Sequence, residues 1–208
     1  MKKLLLSSSF FLVGDYLKKT LPAAPKTLTV VFVPTAADES TNPWYVKQDR
    51  QKLEILGFKI IDLSLKDQTP DGVKKILAQA DIIFVAGGNC FYLLQQARTS
   101  GFIQLVPPLV AAGVIYVGSS AGSYLACPTI EMAGWKHQDK NRVGLKDLTG
   151  LSLVPFLMSA HYNPEYRDSL KAGMAQTKYP VKILTDQQAL LVEDDQVELV
   201  GEGEEVKI

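Results

Sequence analysis

Short apolar runs alternate with segments of helical spacing through most of the chain. Residues 3–8, 28–35, 58–65, 81–86 and 114–119 read as strands. The run 81–86 is continuously apolar, as a parallel strand covered on both faces would be. Between these runs, residues 12–21, 42–56, 69–79, 91–98 and 102–112 have helical spacing. Asn42 suits a helix N-cap, Pro43 the first helical position and Gly57 the terminator, while Thr69-Pro70-Asp71 caps the next helix. Strand and helix in strict alternation predict a three-layer α/β fold, a mostly parallel sheet with helices on both faces.

After Cys127 the rhythm breaks. Residues 128–151 are polar and lack periodicity, which predicts a long loop or lid. Residues 153–158 read as a strand and 165–176 as a helix. Two alternating runs around Asp194-Asp195 predict a C-terminal β-hairpin. No repeat or linker interrupts the chain, so residues 1–208 are expected to form a single domain.

Composition narrows the function. Lys plus Arg and Asp plus Glu are 22 each, so no net charge favours nucleic acid or an anionic membrane as partner. No apolar run approaches the ~20 residues of a membrane span. The start, Met1 to Val13, has a basic end and an apolar stretch, the outline of a signal peptide. Three serines interrupt it and no small-x-small site follows, so a first buried strand and a cytoplasmic chain are expected. Cys90 and Cys127 match neither a redox nor a zinc spacing, and both are expected to be free, non-catalytic thiols. No His/Cys/Asp/Glu cluster has metal-ligand spacing.

The chemistry gathers at Gly118-Ser119-Ser120-Ala121-Gly122, between the fifth strand and a helix. Gly-x-Ser-x-Gly in that setting is a nucleophile elbow, with Ser120 at its centre. A serine needs a base, and the chain has two histidines. His161 follows a strand and precedes a helix, where the carboxyl ends of parallel strands place active-site loops; His137 lies in the polar loop. His161 is therefore the expected base. Glu131, Asp139 and Asp147 are candidates for the carboxylate behind it. One oxyanion donor is expected to be the N–H of Ala121, the other an N–H from the Gly87-Gly88-Asn89 turn if its strand neighbours the elbow strand.

The set Val85-Ala86-Gly87-Gly88-Asn89, Gly118-Ser119-Ser120-Ala121-Gly122, Ala126-Cys127-Pro128-Thr129-Ile130 and His161-Tyr162 resembles peptidase family S51. That family contains aspartyl dipeptidases and, more distantly, cyanophycinase. The resemblance implies a class I glutamine amidotransferase-like (flavodoxin-like) fold. It also implies a serine exopeptidase acting on dipeptides or short peptides, with Ser120 as nucleophile, His161 as base, Gly88 and Ala121 as oxyanion donors, and no metal or organic cofactor. Glu131, in Glu131-Met132, is the nearest match to the acidic residue that aspartyl dipeptidases carry after the Pro-Thr-Ile stretch. Asn89 and Arg167 are the candidate substrate contacts. Aspartyl-specific members have an arginine-containing stretch downstream of the histidine; here that helix holds Arg167 alone, with Lys171 and Lys178 further on. The resemblance thus implies the reaction class rather than strict aspartyl specificity. The alternatives are hydrolysis of another acyl substrate, an ester or a cyanophycin-like conjugate, and a catalytically silent binding domain. A monomer or a homodimer fits either.

Overall fold

A computed structural model describes residues 1–136 and 138–208. Its strands are β1 (Lys3–Ser7), β2 (Thr29–Val33), β3 (Lys59–Asp62), β4 (Ile82–Val85), β5 (Ile115–Ser119), β6 (Leu157–Ser159), β7 (Val181–Ile183), β8 (Gln188–Glu193) and β9 (Gln196–Gly201). The helices are α1 (Phe10–Val13), α2 (Trp44–Leu56), α3 (Pro70–Leu77), α4 (Cys90–Thr99), α5 (Phe102–Ala111), α6 (Ala121–Leu125) and α7 (Arg167–Met174). The main sheet runs β3-β2-β4-β5-β1-β8-β9. Its first five strands are parallel, and β8 closes on β1 antiparallel, with Leu5 opposite Leu191. The expected C-terminal hairpin, β8–β9, is therefore a continuation of the main sheet.

Successive strand residues point to opposite faces, and both faces are covered, which is why the strands are apolar throughout. Leu4, Leu6, Val31, Val33, Ile83, Val85 and Tyr116 enter one core layer. Leu5, Val30, Phe32, Ile82, Phe84, Ile115 and Val117 enter the other. In that second layer Phe84 stacks on Phe32 (centroids 5.1 Å apart) and meets Phe10 edge-on at 4.8 Å. The edge strand β3 exposes Lys59 and Asp62, charges that discourage a further strand from adding there.

Several local expectations shift. The helix expected over 12–21 is one turn of α-helix, α1, followed by a 3-10 segment, Gly14–Thr20. A Cβ at Gly14 would lie 2.9 Å from both Phe10 and Lys52, so close packing selects a residue with poor helix propensity there. Helix α2 begins at Trp44 rather than at Pro43, and Gly57 ends it in a left-handed conformation (φ 91°). Asn89 caps α4, accepting the Tyr92 N–H at 2.9 Å. The run 153–158 yields only the short strand β6, which pairs in parallel with β7, a strand the hydrophobic pattern did not separate from its surroundings.

Phe84 fills the centre of its layer with no exposed surface. Phe84→Ala should lower the free energy of unfolding by about 3–5 kcal/mol, read as a fall in the urea midpoint at unchanged slope.

Candidate active site

The turn between β5 and α6 is strained. Ser120 has φ 50° and ψ −108°, a region that a side chain disfavours, at a cost on the order of 1–3 kcal/mol. Its neighbours hold it there. A Cβ on Gly122 would lie 1.9 Å from the Val85 carbonyl oxygen, and one on Gly118 would lie 2.5 Å from the Ser123 nitrogen. The spacing Gly118-x-Ser120-x-Gly122 is thus a requirement for close backbone approach. Three bonds from β1 complete the support. The Ser7 carbonyl accepts the Ser120 N–H (2.9 Å) and the Ser123 hydroxyl (2.8 Å), and the Ser7 hydroxyl donates to the Gly118 carbonyl (2.8 Å).

The small sheet supplies the partners. In β6–β7, Ser159 stands opposite Ile183. His161 and Asp186 follow within a few residues, so parallel pairing delivers both to the same edge. His161 Nε2 lies 2.8 Å from Ser120 Oγ, and His161 Nδ1 lies 2.5 Å from Asp186 Oδ1. His161 is itself left-handed (φ 55°). Its N–H donates to Ser8 Oγ (2.7 Å), while Tyr124 Oη accepts from Ala160 N–H (3.0 Å) and Lys136 Nζ donates to the Ala160 carbonyl. Ser8 Oγ also donates to Asp186 Oδ1 (3.2 Å), and Ser9 Oγ lies 3.4 Å from the same oxygen. The hydrogen bond from His161 is the strongest influence on the Asp186 carboxyl and holds it below the usual range, against partial burial, which raises it.

The carboxylate on His161 is therefore Asp186, and none of the three expected. Glu131 opens a 3-10 turn and does not line the site. Asp147 pairs with Arg98 (3.1 Å) and Thr149. Asp139 does line the cavity, but its Oδ2 accepts the Cys90 N–H (2.9 Å). The sequence signal for Asp186 is slight: Val181-Lys182-Ile183-Leu184, interrupted by Lys182, is followed by Thr185-Asp186, a carboxylate just beyond the carboxyl end of a strand. His137 lies outside the described residues. The strand before Gly87-Gly88 neighbours the elbow strand, as β4 and β5 pair directly. Gly88 has φ 145°, a Cβ there would lie 2.1 Å from the Ala36 carbonyl oxygen, and its N–H has no acceptor among the described residues. The Ala121 N–H opens α6 and cannot be used within the helix.

Around these groups lies a cavity of about 550 Å³. One side is aromatic: Phe11 meets Trp44 edge-on at 5.7 Å, and Trp44 meets Tyr45 at 6.0 Å. Leu12 and Trp44 remain 47% and 54% exposed there, apolar surface that the fold itself leaves uncovered. Lys140 and Arg142, from the long loop, bring positive charge to the wall. Asn89 lines the cavity and donates to the Lys140 carbonyl (3.1 Å). Arg167, the other expected substrate contact, is exposed at the start of α7 and is not part of the lining; Arg142 is the arginine present. Both cysteines are buried. Burial pushes the Cys90 thiol well up, and that of Cys127 up to about 12, so neither forms a thiolate at neutral pH. No group of three or more His, Cys, Asp or Glu among the described residues is arranged to hold a metal ion, and no helix there is long and apolar enough to cross a membrane.

Known proteins resemble this chain. The model for peptidase family S51 matches residues 4–200. An uncharacterised peptidase of Listeria innocua is 32% identical over 200 residues, covering 95% of each chain. Peptidase E of Shigella flexneri is 32% identical over 166 residues, covering 78% of this chain and 69% of that protein. Among solved structures, a candidate peptidase E from Listeria monocytogenes superposes with a TM-score of 0.86 at 28% identity, covering 98% of this chain and all of the other. The match runs through the elbow, the histidine and the closing strands alike: the chain is a peptidase and belongs to peptidase family S51.

Proposed function

We propose that this peptidase hydrolyses dipeptides or other short peptides through an acyl-enzyme on Ser120. The observation that carries the reading is the unbroken relay from Ser120 Oγ through His161 to Asp186. Ser120 Oγ bonds to the scissile carbonyl carbon as its proton passes to His161 Nε2. Asp186 keeps Nδ1 protonated, directs Nε2 at the serine and stabilises the imidazolium. The carbonyl oxygen gains charge and meets the N–H groups of Ala121 and Gly88. His161 then gives its proton to the leaving amine as the C–N bond breaks. Water, deprotonated by the same nitrogen, attacks the acyl carbon, and the proton returns to Ser120 as the ester bond breaks. A cavity of about 550 Å³ suits a peptide of a few residues, and Lys140 and Arg142 on its wall suit the carboxylate end of such a peptide.

Ser120→Ala should lower kcat/KM on a dipeptide panel by about 10³-fold or more, with loss of labelling by a fluorophosphonate. Unchanged hydrolysis would rule the mechanism out.

Asp186→Asn should lower kcat by roughly 10²–10⁴-fold, whereas Glu131→Gln should stay within about twofold of the parent. The reverse ranking would return the third role to Glu131.

Ser8→Ala removes the acceptor for the His161 N–H. It should cost about tenfold in kcat, since Ser8 holds both the His161 main chain and the Asp186 carboxylate, with a smaller change in KM because Ser8 is only one of many residues on the cavity wall. A KM effect alone would contradict that role.

A further inference from the structure

Among the described residues, Asp49 is the one buried charged side chain that lines the cavity, and the relay leaves it unused. It projects from α2, is only 1% exposed, and lines the cavity beside the elbow. Its Oδ1 accepts the Phe11 N–H at 2.9 Å. Its Oδ2 is buried with no hydrogen-bond partner. The Ser119 hydroxyl lies close enough to favour the charged carboxylate but does not bond to Oδ2. Among the described residues no Lys, Arg or His pairs with Asp49. An unpaired buried carboxylate is costly to the fold, and a leucine or asparagine would pack there at less expense. A missing partner explains why an aspartate stands here.

We propose that Asp49 receives the α-ammonium group of the peptide substrate, making the enzyme selective for peptides with a free amino end. This rests on the reading of the cavity as a peptide-hydrolysing site. Position selects this cation over others. Asp49 adjoins Ser119, the residue before the nucleophile, so a cation meeting it sits beside the scissile bond, where a short peptide carries its α-ammonium. A metal ion would need further ligands, and among the described residues no such group is gathered. Lys140 and Arg142 give the cavity wall the opposite charge, which suits the zwitterionic form of a short peptide.

Electrostatics give the proposal a signature. In the free protein, burial pushes the Asp49 carboxyl up to about 7, with hydrogen bonding from the Ser119 hydroxyl and the Phe11 N–H pulling the other way. Glu39, Asp139, Lys140, Arg142, His161 and Asp186 also line the cavity, and none of them contributes to that shift. At pH 6 most Asp49 is therefore protonated, while an α-amino group, with its ordinary value of about 8, is charged. An arriving ammonium favours the carboxylate, so binding expels a proton.

The test compares the best-cleaved dipeptide of the panel with its N-acetyl counterpart, in the parent and in Asp49→Asn. Asparagine keeps an oxygen for the Phe11 N–H. The ratio of kcat/KM values is read within each protein, so a general loss of activity cancels. The parent should favour the free amine by about 30-fold or more, and Asp49→Asn should bring the ratio to within a few-fold of unity. A ratio unmoved by Asp49→Asn overturns the proposal. A second measurement needs no Asp49 variant: calorimetry at pH 6, in buffers of different ionisation enthalpy, of both ligands binding to Ser120→Ala. Release of close to one proton with the free dipeptide and none with the acetylated one supports Asp49, and equal release overturns it. Failure of Ser120 to react with a fluorophosphonate or to cleave any peptide would instead strike the peptidase mechanism, and the calorimetry separates the two.

Discussion

The site depends on one acceptor, the main-chain carbonyl of Ser7. It takes the N–H of Ser120 and the hydroxyl of Ser123 together, and the Ser7 hydroxyl closes the third bond to the Gly118 carbonyl. A serine at φ 50° stores strain that must be met by contacts elsewhere. Those contacts come from β1, which lies between β5 and β8. Ser120 is thus presented by a sheet whose interior strand supports the turn, and the glycines on either side let β4 and α6 close upon it.

The same short stretch reaches further. Ser7, Ser8 and Ser9 follow one another off the end of β1, and each meets a different part of the relay: the elbow, the His161 main chain and the Asp186 carboxylate. As a sequence, these serines only interrupt an apolar run. In the fold they do the positioning. Local pattern carries no mark of this, because each serine acts on residues more than a hundred positions away.

What was legible follows the same division. The parallel sheet and the elbow were readable because both are local: a covered strand is apolar throughout, and the turn needs small residues at fixed spacing. His161 was readable because histidines are scarce and this one ends a strand. Asp186 was missed because β7 is only three residues long, its pairing with β6 is what brings the carboxylate to the histidine, and neither strand has enough length to show periodicity. Glu131 stands in the loop nearest the elbow in sequence, whereas the fold brings the carboxylate from the turn before β8. Asp49 was equally hidden, as a polar residue inside a helix whose other polar residues face solvent.

Asp186 also occupies a mechanical position. The chain crosses there from the two-stranded sheet that carries His161 to the main sheet that carries Ser120. The His161–Asp186 contact therefore lies at the junction of the two sheets, whereas the His161–Ser120 contact runs from one sheet to the other, so the 2.8 Å between Nε2 and the serine oxygen depends on how the two sheets pack together.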